Sequence, residues 1–216
     1  MLILNLLYNQ SLTAPDKIFV FVAYALALVI AITIHEFFHA WTANRLGDPT
    51  ARLEGRISLN PLAHLDLMGT LFLLLAGFGW GKPVPINEKN FRNPKLDELK
   101  VALAGPISNF FVAAIFALPL RFFYTDLPDK TIFLLGTIVL INLVLMIFNL
   151  LPIPPLDGSH IIKVIIGEDS YSVFAQFGIY ILVAIIFLTP LLSIIYDRIL
   201  NPILFWLTAG HIPTLF

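Results

Sequence analysis

No charged residue interrupts the chain between positions 18 and 34, and a helix-forming run continues through His35 to about Leu46, where Gly47-Asp48-Pro49 stops it. A helix over 18–34 alone is about 25 Å long, close to the roughly 30 Å hydrocarbon core of a bilayer. This run therefore predicts a membrane-crossing helix over about 17–46, with His35 close to one edge of the apolar layer. Further spans are expected over about 99–120, 131–151 and 173–195, the last kinked at Pro190. The composition agrees: 58% of residues are hydrophobic and 12% charged, with a mean hydropathy of +0.88. The expected fold is an all-α polytopic membrane protein, one domain over 1–216, with about four full transmembrane helices.

The stretch 64–87 does not fit that pattern. Its apolar part is short and opens into Gly77, Gly79, Gly81, Pro83 and Pro85, which predicts a re-entrant segment followed by a short extended or β element. Charge supports this choice. Eight of the thirteen Lys and Arg lie between Arg45 and Lys100, and a re-entrant segment leaves all eight on one side, which the positive-inside rule makes cytoplasmic. The N-terminal residues read as an interfacial lead-in, and 197–216, with Trp206 and His211, as an interfacial tail or partial span.

A net charge of −1 without a basic cluster argues against a nucleic-acid partner. Cysteine is absent, so a transition metal can be held only by His, Asp and Glu. Two of the five histidines form His35-Glu36-Phe37-Phe38-His39. At i and i+4 of a helix they are rotated by about 40° and offset by about 6 Å, so both imidazoles can reach one cation. Glu36 beside them can take a proton from a water that the metal activates, as in HExxH metalloproteases. Three ionisable groups within five intramembrane residues are costly, about 2.5–3.5 kcal/mol each, which favours a site over chance burial.

A catalytic zinc site needs a third protein ligand. Asp157 stands out in Asn149-Leu150-Leu151-Pro152-Ile153-Pro154-Pro155-Leu156-Asp157-Gly158, where prolines end the third span and Gly158 permits close packing. Its alternative role is to cap a helix over 158–166, and Asp66 is the rival ligand. The Asn149 amide could stabilise an oxyanion or bond between helices. Asn109 reads as packing glue more than as a catalyst. His160 is either a polar interfacial residue or an orienting partner of Asp157, and His64 and His211 read as structural. Phe110, Phe111 and Phe116 read as lipid-facing or core residues. The glycine-rich 77–87 segment could offer free backbone groups to an unwound substrate strand, or pack Trp80 at the headgroups.

With HEFFHA at His35, GRISLNP from Gly55, GFGWGKPVPIN from Gly77, ALAGPISN ending at Asn109 and NLLPIPPLDGSH from Asn149, the chain resembles the site-2 protease family of intramembrane zinc proteases along nearly its whole length. It resembles a short form without PDZ or CBS domains. The resemblance implies one Zn2+ per chain on His35, His39 and Asp157, Glu36 as base and Asn149 near the scissile carbonyl. It also implies a transmembrane protein substrate, a multi-pass place in the cell membrane with the site near the cytoplasmic side, and regulated intramembrane proteolysis. The competing reading is a metal-binding scaffold or transporter, but polar residues gather near one face and do not line a path. Five histidines are too few for a membrane di-iron hydroxylase.

Overall fold

The computed structural model describes residues 12–66, 68–69, 81–188 and 190–211. Three long helices form the central bundle: α1 (Ala14–Arg45), α3 (Pro94–Phe122) and α4 (Asp129–Asn149), with the four-residue α2 (Thr50–Leu53) after α1. Each boundary has a local cause. Thr13 caps α1 through the Asp16 N–H, Pro15 stands in its first turn, and Gly47 at φ 113° ends the run in a conformation that favours glycine. Asn93 caps α3 and Pro94 opens it; the backbone N–H of Asn93 in turn donates to Asp97 at 3.0 Å.

Rows of small residues at four-residue spacing set how closely these helices approach. On α1 the buried row is Ala23, Ala27, Ala31, His35, His39 and Ala43; on α3 it is Val101, Gly105, Asn109, Ala113 and Ala117. Such rows let backbones approach closely in a bilayer, where dispersion and interhelical hydrogen bonds replace the hydrophobic effect as the driving force. The two histidines thus lie in the α1–α3 seam, facing away from lipid. Ala113, Ala117 and Leu120 of α3 continue into a cluster with Val139, Leu143 and Met146 of α4. Phe110 and Phe116 pack against that cluster, whereas Phe111 is exposed, so the phenylalanines divide between core and periphery.

At the site end of the bundle, polar contacts hold the connection between α1 and α3. The Asp48 carboxylate, fully buried, accepts from Thr50 N and Oγ1, from Asn87 N at 2.7 Å and from Asn90 Nδ2 at 2.7 Å. Burial pushes this carboxyl upward, but the four donors outweigh it and hold it below the ordinary value of 3.8. Because the folded pKa is depressed, the stabilisation is present above the unfolded pKa of about 3.9 and is lost as pH falls through the folded value. Asp48→Ala is expected to destabilise the protein by about 3 kcal/mol by orphaning those donors, and the deficit relative to wild type should shrink in strong acid. Thermal unfolding across pH in detergent reads both effects.

Arg56 donates to the carbonyls of Lys82 (2.5 Å) and Pro83 (2.8 Å), and Lys82 N donates to His64 O at 2.7 Å. Leu65 and Gly81 form a single antiparallel bridge, and no strand occurs among the described residues. Residues 67 and 70–80 of the expected 64–87 stretch, including Gly77, Gly79 and Trp80, lie outside the described residues, as does the N-terminal lead-in up to position 11.

After α4 the chain turns through the proline-rich segment into α5 (Ser159–Ile166) and α6 (Glu168–Leu188). Gly178 brings α6 onto that turn, since a Cβ there would fall on the Pro154 carbonyl oxygen and within 2.6 Å of Pro154 Cβ. Pro190 then heads a continuous helix, α7 (Leu191–Thr208), with a π turn at Tyr196–Leu200. Among the described residues, α1, α3, α4 and α7 are long and apolar enough to cross a membrane. The apolar run expected as one kinked span over 173–195 is thus shared between α6 and the start of α7, and much of the expected interfacial tail is helical. The far end of the bundle is tied by Lys130 to Asp16 at 3.4 Å, by Arg121 to the Trp206 carbonyl, and by His211 stacked on Tyr124.

Candidate metal centre

His35 and His39 project from one face of α1 against α3, and their ring nitrogens are assigned by what surrounds them. His39 Nδ1 lies 2.7 Å from the Val101 carbonyl oxygen, which can only accept, so His39 carries its proton on Nδ1. Asn109 Nδ2 donates to Ala31 O at 3.0 Å and to Asn142 Oδ1 at 2.9 Å, which turns Asn109 Oδ1 toward His35 Nδ1 at 2.7 Å. His35 is therefore also protonated on Nδ1. Both Nε2 atoms present lone pairs to the same point.

Asp157 reaches that point from the other side. Its Oδ2 lies 3.1 Å from His35 Nε2 and 3.4 Å from His39 Nε2, and the two Nε2 atoms are 2.9 Å apart. Buried Asp157 Oδ2 has no hydrogen-bond donor among the described residues. Three acceptor atoms this close repel one another unless a cation lies among them. Ligand atoms about 2.0–2.2 Å from one zinc stand roughly 3.3 Å apart in a tetrahedron, close to these separations. The donor set, two imidazoles and a carboxylate, suits zinc, and this is the one such His/Asp/Glu group among the described residues.

Close packing forces the convergence. A Cβ on Gly105 would fall on His39 Nε2 and within 2.7 Å of His35 Cε1, so only glycine fits beneath the two rings. Gly158 plays the matching part for Asp157: its N–H donates to Asn149 O at 2.6 Å, and a Cβ there would collide with the carbonyls of Leu150 and Leu151. The helix after Asp157 begins at Ser159 with Gly158 as cap and no side-chain cap bond, so Asp157 does not serve as the N-cap.

The remaining expected residues fall as follows. Glu36 is half-buried, and its Oε1 lies 3.5 Å from the Cβ position of Gly81, so the chain after the Leu65–Gly81 bridge runs beside it. Asn149 ends α4 half-buried, its amide donating to Leu145 O at 3.0 Å within its own helix. Asp66 accepts the Gly69 N–H and stays outside the histidine–aspartate group. The His160 ring faces Glu98, with Nδ1 2.9 Å from Oε1, and not the Asp157 carboxylate itself. His64 is buried with Nε2 2.7 Å from Ser58 O. Asn109, expected as packing glue, holds an imidazole. Asn142 and the Val101 carbonyl were not anticipated; the solitary amide of Asn142 in mid-span was the available signal.

Asn109→Leu should fill the same space but leave His35 Nδ1 without its acceptor. Zinc affinity is expected to fall about 10- to 100-fold, the range for losing a partner behind a metal-binding imidazole, as read by competition with a chromophoric chelator.

Comparison with known proteins fits this geometry. The model of Peptidase family M50 matches residues 23–127 and 125–189. The chain belongs to peptidase family M50, the site-2 protease family. The chain is 39% identical over 186 residues to a Bacillus subtilis protein named "Putative zinc metalloprotease YwhC", covering 82% of this chain and 84% of the relative. It is 28% identical over 184 residues to "Putative zinc metalloprotease Rip2" of Mycolicibacterium smegmatis, covering 81% and 70%. No solved structure gives a significant match. The family member described here is thus a zinc metallopeptidase with membrane-crossing helices, and its His35, His39 and Asp157 could bind the metal.

Proposed function

We propose that the chain is an intramembrane endopeptidase that hydrolyses peptide bonds within or near transmembrane segments of membrane proteins, in regulated intramembrane proteolysis. The observation that carries this reading is the meeting of His35 Nε2, His39 Nε2 and Asp157 Oδ2 inside a bundle of membrane-crossing helices. These three would hold one zinc per chain. When bound, it supplies Lewis acidity that lowers the pKa of a water toward about 7 and polarises a carbonyl.

The protein's own residues do the rest. Glu36, between the two histidines on α1, accepts the proton of the attacking water and returns it to the leaving amine. Asn149 turns its amide from Leu145 O to the scissile carbonyl and stabilises the developing negative charge. Val101 and Asn109 keep both imidazoles in the tautomer with Nε2 free. Water enters from the Asp157 side, where the carboxylate side chain is 21% exposed against 7% and 8% for the histidines. The substrate segment, unwound to expose its carbonyls, lies along 81–87 beside Glu36, with backbone groups pairing as in strand addition. The site end carries the basic residues between Arg45 and Lys100 and faces the cytoplasm.

Purified protein incubated with a single-span reporter tests this. Cleavage within or near the span, lost with a chelator and restored by zinc, is expected; intact reporter with zinc-loaded protein would reject the reading.

A further inference from the structure

The histidines and Asp157 come from elements far apart in sequence, and α3 lies between them. One turn of α3 reaches both. The Val101 carbonyl holds His39 on α1, and Glu98, three residues earlier and 8% exposed, faces α5, the helix that follows Asp157. Glu98 Oε1 lies 2.9 Å from His160 Nδ1 and accepts from Lys163 Nζ at 2.8 Å. His160 N donates to Asp157 O at 3.1 Å, so the first turn of α5 is continuous with the ligand.

Lys163 gathers more than this one contact. Its Nζ lies 3.0 Å from Glu88, in the short helical turn after the 81–87 segment, and 2.9 Å from Glu168 at the start of α6. The Lys163 side chain is 11% exposed. Burial disfavours its charge, and the three carboxylates more than offset that, holding the ammonium above the ordinary lysine range. Exposed ion pairs contribute little to stability, but a buried charge that loses its partner is strongly unfavourable, so this group resists any shift of α5 relative to α3. The Gly158–Asn149 bond, the Ser159 N–Leu156 O bond at 3.0 Å and the Ser159–Tyr171 hydroxyl pair at 2.8 Å tie α5 to the proline-rich turn and to α6, and the Glu98–Lys163 pair ties it to α3.

We propose that Glu98, Lys163 and His160 are positioning residues for the metal centre: the part-buried Glu98–Lys163 ion pair, with the His160 ring packed beside it, locks α5 to α3 at the separation that brings Asp157 Oδ2 to the imidazoles already held by α3. The inference rests on the reading of Asp157 as a ligand. It adds that the carboxylate's place is set through α3, by residues that touch neither metal nor substrate.

The test uses the full chain in detergent. Zinc affinity is measured by chelator competition, the visible spectrum is recorded after cobalt substitution, and kcat and KM are measured on the single-span reporter. Glu98→Gln and Lys163→Met are expected to weaken zinc about 10- to 100-fold, alter the cobalt spectrum and lower kcat with KM within about twofold. Lys163→Arg keeps the charge and should restore most of the zinc affinity. Zinc affinity and a cobalt spectrum at wild-type values in Glu98→Gln and Lys163→Met would overturn the proposal. If Glu98→Gln fails to fold, Lys163→Arg binding zinc no better than Lys163→Met overturns it equally. An Asp157→Ala protein that binds zinc like the wild type would reject the ligand reading itself, a result separable from the others.

Discussion

Glu36→Gln is expected to leave the fold and zinc content of the protein as they are and to lower reporter cleavage about 10²- to 10⁴-fold, the contribution of a positioned acid–base group. Gln has nearly the volume of Glu, so the α1–α3 seam and the Gly81 contact beside residue 36 remain. The imidazoles keep their bonds to Val101 and Asn109, so the metal is retained. What would be lost is the proposed capacity to accept a proton and return it to the leaving amine. Zinc content by elemental analysis, beside cleavage rates of the same preparation, separates the two effects. An active Glu36→Gln protein would reject the base role, and a zinc-free one would place Glu36 among the ligands.

Gly105→Ala should do the opposite, removing the metal while the chemistry of every side chain is untouched. The added methyl would occupy the space of His39 Nε2 and stand within 2.7 Å of His35 Cε1. Neither ring can withdraw, because each is held from behind by a 2.7 Å bond, His39 to Val101 O and His35 to Asn109 Oδ1. Relief requires α3 to move off α1, against the row of small residues that packs them, or the rings to abandon convergence. Overpacking of this kind costs about 1–3 kcal/mol in stability. Because it strikes the ligand atoms directly, its effect on zinc affinity should exceed the roughly 10- to 100-fold expected for an outer partner. Helical circular dichroism close to wild type with zinc affinity down by at least about 100-fold is the expected pair of results. Wild-type affinity in Gly105→Ala would mean the two histidines do not meet as described.

Much of this arrangement can be read from residue spacing. Charge-free runs mark α1, α3 and α4 because lipid imposes length and apolarity on anything that crosses it. The expected limits differ mainly where helices leave the apolar layer: α3 begins at Pro94 and not near position 99, since its first turns, with Asp97, Glu98 and Lys100, are charged yet still helical. The C-terminal region reads as either an interfacial tail or a partial span over 197–216; the helix from Leu191 continues through Asp197 and Arg198 to Thr208, so a charged pair marks no helix end there. The pair His35 and His39 is legible because ligation at i and i+4 is a local pattern. Asp157 is legible because prolines mark where a backbone leaves the helix. Partners that act at long range leave no such trace: a carbonyl such as that of Val101 looks like any other, and Glu98 reads as one more charge at a helix start. Gly105 could be noticed as a helix-interior glycine, but the two rings above it belong to another helix.

The central claim is that two imidazole nitrogens and the Asp157 carboxylate share one cation. X-ray absorption at the zinc K-edge of the loaded protein measures this directly, since no cysteine is present to contribute sulfur. Two imidazole nitrogens and carboxylate oxygen at about 2.0–2.2 Å are expected in the wild type, and loss of zinc or a changed oxygen shell in Asp157→Ala. A zinc shell identical in the wild type and Asp157→Ala would contradict that claim.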